Sequence, residues 1–121
     1  MSDELTERVI GAAIEVHRVL GPGLLESIDE EALCIELQLR GITVERQKEL
    51  DVIYKGQSIK GFRVDLFIEA QLVVELKSVK KVPDAAMAQV LSYLRTTGCK
   101  RALLLNFGLP RLVDGVQCVS L

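Results

Sequence analysis

Apolar residues at Leu5, Val9, Ala13, Val16 and Leu20 recur at intervals of three and four, the spacing that gathers them on one stripe of an α-helix. Ser2 or Asp3 stands where a capping side chain belongs, and Gly21-Pro22-Gly23 ends the pattern. A second helix is expected after Ser27-Ile28-Asp29-Glu30, which has the S-x-x-E form of a capping box. Ala32, Leu33 and Leu37, and with them Ile35, supply its apolar side, and Gly41 follows as a good terminating residue. The period then changes. Extended chain is expected from Ile42 through Tyr54, a turn at Lys55-Gly56-Gln57, a second strand over 58–68 and a third over 71–79. Pro83-Asp84 opens a helix that Gly98 stops after Thr97. The run Ala102-Leu103-Leu104-Leu105 reads as a buried strand over 101–107, residues 106–110 as a loop, and 116–121 as an edge strand. The order α-α-β-β-β-α-β-β implies an α/β fold, a mixed β-sheet flanked by helices.

The second and third strands carry the chemistry. Alternate residues of a strand face opposite sides, so Phe62, Val64, Leu66, Ile68, Leu72, Val74 and Leu76 form one apolar, core-facing set. Arg63, Asp65, Phe67, Glu69, Val73, Glu75 and Lys77 form the other. A turn centred on Ala70 places Asp65 opposite Glu75 and Arg63 opposite Lys77. Directly opposed residues have Cβ atoms about 4.5–5.5 Å apart, a distance at which like charges repel. A divalent cation between the two carboxylates resolves the repulsion, and oxygen ligands suit Mg²⁺ or Mn²⁺. Lys77, on the same face as Glu75, would then orient a water or offset charge developing on phosphorus. The competing reading is a solvated sheet face with diagonal ion pairs, Arg63 to Glu75 and Asp65 to Lys77. A one-residue slip of register removes the arrangement altogether.

Composition narrows the classes. At 121 residues the chain makes one domain, 1–121, and its 49% hydrophobic and 26% charged content is that of a globular protein. Aromatics are 4% with no Trp, which disfavours a base-stacking platform. The net charge of −2 hides a division: residues 1–60 hold 7 Lys/Arg and 12 Asp/Glu, net −5, whereas 61–121 hold 8 and 5, net +3. Local contact with a phosphate backbone therefore stays open. Cys34, Cys99 and Cys118 are far apart and lack C-x-x-C spacing, so reduced cysteines in a cytoplasmic protein are expected. Neither a signal peptide nor a membrane-spanning run is expected.

Asp65 followed by Glu75-Leu76-Lys77 resembles the D…E-x-K core of the PD-(D/E)XK nuclease superfamily, and the element order is similar to its restriction-endonuclease-like core. More narrowly, the chain resembles the GxxExxY family. The resemblance rests on Gly21–Glu26, Arg40-Gly41-Ile42, Val44–Gln47, Tyr54-Lys55-Gly56, Arg63–Leu66, Val74–Lys77, Ala88–Leu94 and Asn106-Phe107-Gly108. It implies that Asp65 and Glu75 bind Mg²⁺ and that Lys77 assists the attacking water. It further implies that Glu26 completes the metal site and that Gln89 lines it. Tyr93, one turn beyond Gln89, shares that helix face. Arg63 and Lys80 are candidate contacts for substrate phosphates.

The chain departs from the pattern at Asp29, where the motif's final Tyr belongs. Asp29 either adds a carboxylate near the metal or favours a helix N-terminus. Relatives often carry a His shortly before Ala88-Gln89, where this chain has Ala86. Pro83-Asp84 follows E-x-K and is a helix start, not the PD of the superfamily name. His17 either reaches the site across the Gly21–Gly23 corner or serves structure. Two functions stand at this point. One is a metal-dependent nuclease acting on DNA or RNA. The other is a catalytically inactive interaction module of the same fold, possible as a homodimer.

Overall fold

The computed structural model describes residues 3–121. Ser2 lies outside them, and Asp3 is the observed cap: its carboxylate accepts the Thr6 N–H at 2.7 Å at the start of α1 (Glu4–Leu20). The next elements are α2 (Glu26–Leu39), β1 (Val44–Tyr54), β2 (Gln57–Ile68) and β3 (Leu72–Lys77). The chain ends with α3 (Asp84–Thr97), β4 (Arg101–Asn106), a 3₁₀ turn over Leu112–Gly115 and β5 (Val116–Ser120). The five strands lie in sequence order, antiparallel except for the β3–β4 pair, which α3 connects in parallel. This is the mixed α/β sheet expected from the pattern, with an added 3₁₀ turn.

The helices divide between the sheet faces. Val9, Ala13 and Val16 of α1 and Leu33 and Leu37 of α2 pack against Leu66, Ile68, Val74, Leu76, Leu103 and Leu105. Val90, Tyr93 and Leu94 of α3 cover Val64, Phe67, Val73, Ala102 and Leu104 on the other side. Strands β3 and β4 are thus buried on both faces, which is why β4 reads as a continuous apolar run, whereas Glu75 and Lys77 interrupt that pattern in β3. Each buried Leu or Val contributes about 1.5–3 kcal/mol relative to an exposed one.

Three expectations are corrected. Helix α2 begins at Glu26 with Leu25 as its cap and no side-chain capping bond, so Ser27 does not open a capping box. Glu30, the acid of that box, instead receives Arg46 and Gln47 from β1. Ile35 lies on the outer side of α2 and is exposed. The β2–β3 hairpin does not keep one apolar face. Leu66 and Ile68 join the α1/α2 side, whereas Phe62 and Val64 join the α3 side. The faces exchange at Asp65, beside Gln47, a non-glycine residue at φ 49° that interrupts the β1–β2 ladder.

The turn that sets the hairpin register is the one expected. Leu66, Phe67 and Ile68 pair with Val74, Val73 and Leu72, and Gln71 N–H donates to the Ile68 carbonyl at 2.9 Å. Glu69 and Ala70 both sit in left-handed backbone, at φ 53° and 54°, where a Cβ is unfavourable. Ala70→Gly is therefore expected to stabilise the fold by about 0.5–1 kcal/mol, read as a higher urea midpoint with unchanged slope.

Candidate active site

The ladder between β2 and β3 stops at Leu66 and Val74, and side chains take over where it stops. The Asp65 N–H donates to Glu75 Oε1 at 3.1 Å, and the Leu76 N–H donates to Asp65 Oδ2 at 2.9 Å. Each carboxylate thus accepts a main-chain N–H from the other strand, and the strands part beyond this level. The expected register is realised, but the carboxylates meet each other's backbones instead of standing as a simple cross-strand pair. Arg63 and Lys77 do not oppose each other: Arg63 is exposed on the hairpin arm and pairs with Glu49 at 3.3 Å. Both diagonal ion pairs are likewise missing from the ion pairs of the described residues.

Burial makes this pair costly. Glu75 is 8% exposed, and its pKa is pushed up to about 8, first by desolvation and then by the neighbouring Asp65 charge. The Asp65 N–H and the Lys77 ammonium oppose the shift without cancelling it. Tyr93, buried on α3 against the Phe62 ring at 4.5 Å between centroids, is pushed up to about 12 by burial and by Glu75 and Asp65. Glu26, at the first turn of α2 and open at its surface, is raised chiefly by the protein mass behind it. Lys77 opposes that shift, and Asp65, Glu30 and Asp29 add to it. Asp65, Glu75, Lys77, Glu26 and Tyr93 therefore share one electrostatic neighbourhood. Gln89 and Lys80 are exposed, on α3 and on the loop after β3.

Among the described residues no three His, Cys, Asp or Glu side chains are gathered closely enough to enclose a cation. Glu26 does not complete such a cage with Asp65 and Glu75. Its neighbour Asp29 is 1% exposed with no hydrogen-bond partner on either oxygen. It lies in the first turn of α2, as the helix-end reading has it, but is buried there, and burial raises its pKa while His17 opposes the shift. His17 serves structure: buried on α1, it donates from Nε2 to the Leu109 carbonyl at 2.8 Å.

Three supporting residues had no role assigned from sequence. Gln47 Nε2 donates to Glu30 Oε1 at 2.8 Å and to Asp65 Oδ1 at 3.3 Å, holding the Asp65 carboxylate from the β1 side. Asn106 is buried at the end of β4 beside Lys77. Its Oδ1 accepts the Val79 and Gly108 N–H groups, and its Nδ2 donates to the Val79 carbonyl. This clasp replaces ladder bonds and ends β3 at Lys77, two residues earlier than the pattern predicts. Gly108 completes the clasp: a Cβ there would lie 2.5 Å from the Val79 N and O atoms. Gln47 and Asn106 belong to the stretches that carry the family resemblance, which was the signal available for them.

A family model of the PD-(D/E)XK nuclease superfamily matches residues 3–119. The chain belongs to the PD-(D/E)XK nuclease superfamily. Neither a curated protein nor a solved structure matches it. Within this superfamily member the carboxylates, Lys77 and the sheet end lie together on the divergence of β2 from β3.

The raised Glu75 pKa ties the site to stability. The folded state holds a proton on Glu75 that the unfolded state, with its ordinary value of 4.5, gives up. Stability from this group is complete below about pH 4.5 and is lost as pH rises through about 8. Thermal melting without divalent cation is expected to fall over that window, and Glu75→Gln to flatten the fall.

Proposed function

We propose that the protein is a Mg²⁺- or Mn²⁺-dependent nuclease that hydrolyses phosphodiester bonds of DNA or RNA. One observation carries the reading: two adjoining carboxylates, one of them buried, lie where β2 and β3 separate, with the Lys77 charge acting on Glu75. The superfamily to which the chain belongs supports it. The donor set fits a hard cation, since Mg²⁺ keeps several waters and uses one or two carboxylates together with substrate phosphates. A site without three enclosing protein ligands is compatible with that habit. Asp65 and Glu75 would hold the ion, with Glu26 reaching it through water or substrate. When bound, the cation supplies Lewis-acid stabilisation of charge on the phosphoryl oxygens.

The chain's own groups do the remaining work. Lys77 orients the attacking water and offsets the charge that grows on phosphorus as the P–O bond to the leaving oxygen breaks. Glu75 gives up its proton to become a ligand, so activity rises with pH towards about 8. Tyr93 is buried with its hydroxyl in electrostatic reach of Glu75 and Asp65, and would meet a substrate through that hydroxyl. Gln89, Lys80 and Arg63 are exposed and would meet the phosphates of a nucleic acid. The closer assignment, to the GxxExxY family, rests on the motif stretches, with Asp29 in place of the motif Tyr.

Incubation with labelled single- and double-stranded DNA and RNA tests the proposal. Cleavage is expected with Mg²⁺ or Mn²⁺, not with EDTA, and Glu75→Ala and Lys77→Met are each expected to lose at least about 100-fold. Full activity in either variant, or no cleavage of any of the four substrates, overturns it; the latter favours the inactive interaction module.

A further inference from the structure

Strands β1 and β2 run on as a two-stranded arm where β3 has left them. β3 pairs only with Leu66, Phe67 and Ile68, whereas the β1–β2 pairing continues out to Tyr54 and Gln57. Both edges of the arm lack a neighbouring strand, since β1 is also the outermost strand of the sheet. The inner part rests against the α3 side through Leu50 and Phe62. The outer part leaves apolar side chains in solvent: Ile53 is 62% exposed, Tyr54 59% and Ile59 49%.

The arm is basic in an acidic protein. Residues 48–64 hold four Lys/Arg against two Asp/Glu, in a chain of net charge −2. Both acids are already engaged. Glu49 pairs with Lys60 at 3.5 Å and with Arg63 at 3.3 Å, and Asp51 accepts the Ser58 hydroxyl at 2.9 Å. Lys55 stands at the tip in left-handed backbone, φ 49°, followed by Gly56 at φ 79°. Asn, Asp or Gly is the usual first residue of such a two-residue turn. Among the described residues the Lys55 ammonium meets no carboxylate, only the Tyr54 ring, 5.5 Å from its centre.

We infer that the β1–β2 arm lies in the major groove of duplex DNA, with Lys55 and Lys60 on the flanking phosphates and the apolar tip turned to the base edges. This rests on the nuclease reading and names its substrate. A B-form major groove, about 12 Å wide, admits a two-stranded ribbon. The major groove of A-form RNA is deep and narrow, so the arm selects against duplex RNA. Exposed cations supply the phosphate contacts that position a protein on a duplex, and apolar side chains meet the thymine methyl groups on the groove floor. Strand β2 joins the tip to the carboxylates. The eight residues from Gln57 to Asp65, at about 3.3 Å each, span up to about 26 Å. At about 3.4 Å per base pair that is about eight base pairs, within one helical turn. A duplex gripped by the tip therefore reaches the point where β2 and β3 separate.

Fluorescence anisotropy in EDTA, where nothing is cleaved, tests the arm. The probes are a DNA duplex of about 20 bp, two helical turns, the RNA duplex of the same sequence, and the single strands of each. The wild type is expected to bind the DNA duplex at least about tenfold more tightly than the RNA duplex. Lys55→Gln/Lys60→Gln is expected to weaken DNA binding at least about tenfold and to lower the salt slope by about two. Tyr54→Ser/Ile59→Ser is expected to weaken it with the slope unchanged. Near-wild-type melting temperatures check that both variants fold, and should the second not fold, the first carries the test alone. Equal affinity for the RNA duplex, DNA binding indifferent to the two lysines, or no binding to any probe overturns the proposal. Arm-dependent DNA binding without cleavage in Mg²⁺ supports the arm and overturns the nuclease reading. Cleavage with DNA binding indifferent to the arm does the reverse.

Discussion

The reciprocal bonding of Asp65 and Glu75 to each other's strands is the constraint on which the rest depends. A β-ladder would satisfy the main-chain N–H groups at this level with carbonyls. Here two carboxylates satisfy them instead. The substitution lets β2 leave the sheet with β1 as a two-stranded arm, turns Phe62 and Val64 towards α3, and concentrates negative charge at a buried position. Removing a carboxylate from water costs free energy unless it is protonated or paired. The site is therefore built with a proton or a cation as an obligatory component, and the fold around it holds that arrangement in place.

The surrounding residues follow from that requirement. Gln47 in left-handed backbone steadies Asp65 from β1, and Tyr93 is buried on α3 within reach of the Glu75 charge. Asn106 and Gly108 clasp the chain just beyond Lys77, and the Phe107 N–H donates to the Lys77 carbonyl at 2.7 Å. Strand β3 is thus fixed at both ends of its E-x-K segment by polar side chains, a more directional restraint than apolar packing supplies. The layer of α1 and α2 holds most of the acidic half of the chain, while the basic half supplies the end of the sheet.

Much of this was legible in the sequence because it depends on periodicity. The helices at 4–20 and 84–97, the turn at Ala70 and the buried strand β4 each follow from apolar spacing and from residues with special backbone preferences. That Asp65 and Glu75 come together was legible through alternation and register, and the candidate role of Asp65, Glu75 and Lys77 through the family resemblance. The exchange of faces at Asp65 was not, since a local break in the ladder leaves no periodic trace. The start of α2 was misread because Ser27–Glu30 matches a local capping pattern that tertiary contacts override: Glu30 is drawn to Arg46 and Gln47. The burial of Asp29 and the exposure of Ile35 depend on how α2 is rotated against the sheet, which its own sequence, apolar on two sides, leaves ambiguous.

The central claim is that Glu75 carries a proton that a divalent cation displaces. Titration calorimetry of Mn²⁺ into the protein at pH 7, in buffers of different ionisation enthalpy, measures that exchange directly. The account predicts release of close to one proton per Mn²⁺ bound, absent in Glu75→Gln. Mn²⁺ binding without proton release, or no binding at millimolar Mn²⁺, would contradict it.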